Sequence, residues 1–216
     1  MKINMYSDDE LLKIEQNKKE ENEFRKLLSK LLSGDEYVSS KPLFVGITPY
    51  AIDCCINNKG LELFVSKSVI TKCMRAEIRD KSGKQTKRSG HGLTKQQIND
   101  IVWAIKRPIM IIKGSQPYTV AIMTDLKDKH NRYIFAFVAL NIVGATASIN
   151  TISSAYGRNK LEDYLKKCIE NDMIMAVNIE KVDEIRLSIR GHFSEATVPI
   201  NFDNTIAYSL KSVKRN

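Results

Sequence analysis

From Pro108 onward the apolar residues abandon helical spacing and run in alternation or in short unbroken blocks, and that change of period demands a sheet. Pro108 lacks the N–H that would continue a helix, so the helical pattern before it must stop there. Residues 109–112, 118–124, 133–140 and 148–154 are predicted strands, with Asp128-Lys129-His130-Asn131 as a hairpin turn. A further strand is predicted over 173–179, after a helix capped by Asn159 that runs to about Glu170. Helices first, then strands on short connections, predict an α+β fold: N-terminal helices packed on a mainly antiparallel sheet.

Ahead of the switch, residues 7–33 read as one long amphipathic helix. Ser7 and Glu10 have capping-box spacing, and Gly34 offers a stop. Leu11, Leu12 and Ile14, then Phe24, Leu27, Leu28, Leu31 and Leu32, supply the apolar stripe, interrupted by the polar stretch 15–22. The second half is therefore expected to dock, leaving either a partner-binding arm or a simple extension. A strand over 43–47 leads through Thr48-Pro49, an N-cap followed by proline at the first helical position, into a short helix. A second strand at 61–65 and a helix at 68–76 follow. Thr94 and Gln97 form another capping box, opening a helix with Ile98, Ile101, Val102, Trp103 and Ile105 on its apolar side. After residue 180 the pattern is harder to read: strands are expected near 184–189 and 205–213, then a basic tail.

A chain of 216 residues with 43% hydrophobic and 27% charged residues is expected to fold around a core without disulfide staples. Its formal charge of +9 favours polyanionic partners, because each neutralised phosphate releases condensed counterions. Aromatic residues make up only 7%, which does not advertise a broad base-stacking surface. Cys54, Cys55, Cys73 and Cys168 include no C-x-x-C pair, and His91, His130 and His192 lie far from them in sequence. Reduced, mostly buried thiols are expected rather than a zinc site. No apolar signal core opens the chain, and the apolar runs are strand-length, so a cytoplasmic protein is expected.

Residues 75–92 break every periodicity. Arg75, Arg79, Lys81, Lys84, Lys87 and Arg88 interleave with small polar residues and end in Gly90-His91-Gly92, which predicts a flexible basic loop carrying a histidine. A solvated surface loop accounts for most such runs of charge. No P-loop, dinucleotide fingerprint or nucleophile elbow is present, and no acidic partner for His91 stands out.

Two segments carry a resemblance: the H-G-L-T-x-x-Q run from His91 to Gln97 with the strand after Pro108, and the S-x-Y-G-R run Ser154-Ala155-Tyr156-Gly157-Arg158. Together with Leu43-Phe44-Val45-Gly46-Ile47-Thr48-Pro49, their order resembles the phage MuF C-terminal domain over roughly residues 43–179. That family is grouped with the barnase–EndoU–colicin–RelE fold of metal-independent ribonucleases, many of them toxins. The resemblance implies a nuclease-fold domain at 37–181, between a helical extension at 1–36 and a strand-rich, basic extension at 182–216. It implies an endoribonuclease without cofactor or metal, a toxin or a phage or mobile-element effector acting on RNA, tRNA or mRNA.

Under the resemblance His91 would be the acid or base and Arg158 the phosphate clamp, with Tyr156 and Ser154 positioning groups or proton relays; Ser115 is weaker. Arg75, Arg79, Lys84, Lys87, Arg88, Lys95 and Lys113 would bind nucleic acid. The residue types suit that chemistry. Histidine titrates near neutrality, arginine matches phosphate with a planar fork of donors, and hydroxyls can orient a ribose 2′-OH. Each also has a plain reading: a loop histidine at a helix start, a surface arginine, a buried tyrosine with a satisfied hydroxyl, a strand serine. A non-enzymatic binder of nucleic acid or protein on the same fold is the alternative, with the N-terminal helix contacting an immunity or host protein.

Overall fold

The computed structural model describes residues 8–35, 40–56, 60–78, 80–82, 86, 89–143, 148–178 and 181. Helix α1 (Asp8–Leu32) leads to strand β1 (Leu43–Ile47), helix α2 (Tyr50–Ile56), strand β2 (Glu62–Val65), helix α3 (Lys67–Met74) and helix α4 (Lys95–Ala104). Strands β3 (Met110–Lys113), β4 (Thr119–Lys127), β5 (Tyr133–Val143) and β6 (Ser148–Gly157) follow, then helix α5 (Leu161–Glu170) and strand β7 (Ile174–Val177). The seven strands form one sheet in the order β1-β2-β6-β5-β4-β3-β7. Every neighbouring pair is antiparallel except β2 and β6, which run parallel and join the early strand–helix segment to the late meander. The fold is α+β, as expected. No helix among the described residues is long and apolar enough to cross a membrane.

Both faces of the central strands are covered, which is why β4 and β5 read as apolar blocks rather than clean alternation. One face carries Val120, Ile122, Ile134, Ala136 and Val138 into a large core with α1, α2, α3 and α4. The other carries Ala121, Met123 and Phe135 into a smaller core with Leu165 and Cys168 of α5. Helices therefore flank the sheet on two sides, not on one. Helix α2 follows edge strand β1 yet packs against the opposite edge strand β7, so the sheet curls around the larger core.

Local signals account for many of the ends. Thr94 accepts from the Gln97 backbone N–H while the Gln97 side chain accepts from Thr94 N–H, completing the capping box. Gly34, at φ +90°, closes α1 with a hydrogen bond to Leu31. Three expectations change. Thr48 does not cap α2: its hydroxyl donates to Leu61 O and accepts from the buried Asn150, so it locks β1 to the strands beyond. Helix α3 starts one residue earlier, capped by Ser66. Asn159 caps nothing: Lys160 holds the cap position of α5 in the left-handed region, and Asn159 serves Arg132 instead.

Helix α1 docks through Phe24, Leu28 and Leu31, all buried at i, i+4, i+7 spacing, each stabilising the fold by about 1.5–3 kcal/mol through burial. Its polar stretch is not simply solvated. Glu20 is 5% exposed and accepts from Lys106 Nζ at 2.7 Å, while Lys106 also donates to Asn17. An ion pair thus inserts between helix and core. Ser7 and the side chains of residues 8–14 lie outside the described residues, as do the predicted strands after residue 181.

Candidate functional site

The chemistry-bearing segments meet where the end of α3 passes the second half of β6. A helix C-terminus leaves its last carbonyls without intrahelical partners. Here Lys72, Cys73, Arg75 and Ala76 O accept from the backbone N–H groups of His91, Leu93, Gly92 and Gly90. A Cβ at Gly90 would collide with the Arg75 carbonyl, so glycine is what allows the two backbones to approach. Ile78 O and N are tied to Thr86 and to the Ser89 hydroxyl in the same way. The base of the basic loop is therefore a hydrogen-bonded clamp on the end of α3, and it carries His91.

Parallel β2 covers β6 only from Asn150 to Ile152, and the register shift between Phe137 and Val138 puts Ser154 and Tyr156, two residues apart in the strand, on the sheet face opposite to Ile152. His91 Nε2 lies 3.2 Å from Ser154 Oγ. Its ring packs on Tyr156 at 5.0 Å between centroids, and Tyr156 stacks on Phe137 at 4.9 Å. His91 Nδ1 is buried without a protein partner. Burial, reinforced by the Lys72 charge and only partly opposed by Glu77, holds the imidazole pKa below its ordinary 6.5. The ring is therefore neutral at neutral pH and able to take a proton.

A cleft of about 300 Å³ opens beside this group, lined by Glu77, His91, Arg132, Tyr156, Gly157 and Asn159. Its far wall is a charge network. Arg132 Nε donates to Asp128 at 2.6 Å, its NH1 group to Asn159 Oδ1 at 3.0 Å, and its NH2 group to Glu77 at 3.3 Å. Asp128 also accepts from the backbone N–H groups of His130 and Arg132, fixing the hairpin turn expected there. A Cβ on Gly157 would strike the Asp128 carboxylate, so this position needs glycine.

Burial alone would raise the Asp128 pKa, but the hydrogen bonds and charge of Arg132 and the two backbone donors hold it below the usual 3.8. A depressed carboxylate pKa contributes stability in full above 3.8 and loses it as pH falls through the folded-state value. The stability gap between the parent and Asp128→Asn is expected to be constant at neutral pH and to close on acidification below about 4, as read by urea unfolding.

Of the sequence-predicted site residues, His91, Ser154 and Tyr156 converge. Arg158 does not line the cleft: its guanidinium lies 3.2 Å from the Tyr164 ring centroid and 5.7 Å from that of Phe135, the cross-strand partner of Tyr156. Stacking uses the face of a guanidinium and leaves its in-plane N–H edges as donors. Lys95 Nζ reaches Ser29 of α1 at 3.4 Å. Arg75 is exposed near the clamp, while Lys113 and Ser115 sit at β3, three strands along the sheet from β6. Arg79, Lys84, Lys87, Arg88 and His192 lie outside the described residues. Glu77, Arg132 and Asn159 were not singled out by the sequence. Glu77 is an acidic neighbour of His91, one of two carboxylates, with Asp80, in a basic segment.

Residues 82–184, a little under half of the chain, match the family described as phage MuF-C-terminal domain. The match spans the His91 and Tyr156 segments; the strand and helix at 43–56 lie before it. No curated protein and no solved structure matches the chain.

Proposed function

We propose, from the match of residues 82–184 to the phage MuF-C-terminal domain family, that the chain is a metal-independent ribonuclease on a barnase–EndoU–colicin–RelE-like fold, serving as a toxin or a phage or mobile-element effector. The observation that carries this reading is a neutral, half-buried His91 hydrogen-bonded to Ser154 and packed on Tyr156 at the edge of a cleft. His91 takes the proton of a ribose 2′-OH, whose oxygen attacks the adjacent phosphorus. The 5′ oxygen leaves with a proton taken from solvent water, His91 later returns its own proton to solvent, and a 2′,3′-cyclic phosphate remains. Ser154 holds the imidazole, Tyr156 places the phosphate, and the N–H edges of Arg158 receive phosphate oxygens.

Incubating the full chain with total RNA in EDTA tests the reading; intact RNA and tRNA after prolonged incubation would refute it. The acid limb of the pH profile tests the role of His91. A base must be neutral, so single-turnover cleavage should rise with pH through a midpoint below 6.5 and level off near neutrality. A rate that falls through that interval would make His91 the acid.

A second reading, a non-enzymatic nucleic-acid or protein binder, is favoured by one observation: the one guanidinium that lines the cleft among the described residues, Arg132, already faces two carboxylates. RNA affinity that survives His91→Ala but collapses when Arg75, Arg79, Lys87 and Arg88 are neutralised would favour it.

A further inference from the structure

We propose that Tyr164 is a positioning residue: its ring holds the Arg158 guanidinium flat outside the cleft, with bare N–H edges that receive the RNA phosphate next to the scissile one. This deepens the nuclease reading and rests on it for the ligand.

The two arginines near this end of β6 are held in opposite ways. Arg132 donates to Asp128, Glu77 and Asn159, and the two carboxylates offset its charge. The Arg158 guanidinium has no hydrogen bond or ion pair to any described residue; the rings of Tyr164, at 3.2 Å, and Phe135, at 5.7 Å between guanidinium carbon and centroid, fix it instead. Stacking uses the face of the group, leaves its in-plane donors and brings no anion to neutralise the charge. Such a cation is preorganised for phosphate, whose charged oxygens accept parallel N–H donors.

Tyr164 is itself fixed from several sides. In the first turn of α5 its N–H donates to Lys160 O. Its ring stands edge-on to the buried Phe135, at 5.7 Å and 81°. Its hydroxyl hydrogen-bonds the thiol of Cys168, which is 1% exposed. Burial pushes the phenol up to about 12 against the opposing charge of Arg158, so at neutral pH the ring stacks on the cation and does not pair with it as a phenolate. Position along the strand then assigns the phosphate. Arg158 directly follows β6 and continues its pairing through an N–H to Tyr133 O. It stands two residues past Tyr156, on the same face and about 7 Å along the strand. Tyr156 lines the cleft with His91, and Arg158 does not. That offset is close to one backbone repeat of an extended RNA strand, so Arg158 grips the flanking strand, not the reacting bond.

Affinity of the full chain for a short single-stranded 2′-O-methyl RNA, whose 2′ oxygens cannot attack, tests the assignment apart from catalysis. In Arg158→Met the slope of log affinity against log salt should flatten by about 0.7, one phosphate contact on a single strand. Tyr164→Leu keeps the charge and the apolar packing but removes the ring face. It should weaken binding by about two- to fivefold, the usual contribution of an exposed cation–π contact, and by nothing further in the Arg158→Met background. Tyr164→Phe, which keeps the ring, should bind as the parent does. In cleavage, Arg158→Met should raise KM and leave kcat, since it removes binding shared by ground and transition states. Absence of RNA affinity, a parental slope in Arg158→Met, an equal loss from Tyr164→Leu in both backgrounds, Tyr164→Phe as weak as Tyr164→Leu, or a lowered kcat at constant KM would overturn the proposal. Should Tyr164→Leu not fold, the Arg158→Met slope decides. The expected binding pattern without RNA cleavage would leave the proposal standing and the nuclease reading fallen. Cleavage with a parental slope in Arg158→Met would do the reverse.

Discussion

RNA cleavage by His91→Ala is expected to fall by about 10²–10⁴-fold, the usual contribution of one positioned acid–base group. The fold should survive, because the N–H that ties residue 91 to Lys72 O belongs to the backbone, and the hydrogen bond to Ser154 contributes only about 0.5–1.5 kcal/mol. The measurement is single-turnover cleavage of a labelled RNA in EDTA, with the variant's melting curve recorded alongside. Parental cleavage by a folded His91→Ala would remove this histidine from the mechanism, even if the protein proved to be a nuclease.

The second large effect concerns stability. Lys106→Ala would strand Glu20, which is 5% exposed, as a buried carboxylate without its cation. Breaking one partner of a buried pair costs about 3–5 kcal/mol, because the remaining charge has lost its water and its counterion together. For a chain of this size that is a fall on the order of 10 °C in melting temperature. Replacing both partners, as in Glu20→Met with Lys106→Met, should recover most of the loss, since neither charge then needs desolvation. Denaturant unfolding of the two single variants and the double variant gives the comparison. A loss below about 1 kcal/mol for Lys106→Ala would match an exposed pair and would mean that α1 is not seated on β1 and α4 in solution.

The helix at α4 and the strands at β4 and β5 were legible because their causes lie within a few residues. A capping box spans Thr94 to Gln97, a proline stops the helical pattern, and apolar blocks mark strands buried on both faces. The S-x-Y-G-R run was legible for a different reason: as a pattern that resembles a family, later matched over 82–184. Where a side chain had two partners to choose from, local rules misled. Thr48 and Asn159 both have the side chains of helix caps, yet each spends its hydrogen bonds across the sheet, on Leu61 and Asn150 in one case and on Arg132 in the other.

What the amino-acid order determined alone was therefore the class of fold and the period switch near Pro108, because propensity, capping and alternation act over one or two turns of chain, while the candidacy of His91, Ser154 and Tyr156 rested on the family resemblance. What only the folded chain decided were the contacts between distant positions. His91 meets Ser154 because α3's last carbonyls capture the loop backbone and a register shift in β6 turns the serine toward it. Glu77 and Arg132 share a wall because a hairpin and a loop reach the same end of β6, and Glu20 finds Lys106 only once α1 lies on the core. Such pairs leave no periodic trace in the sequence, since their energy comes from desolvation and charge proximity that arise only when the layers close.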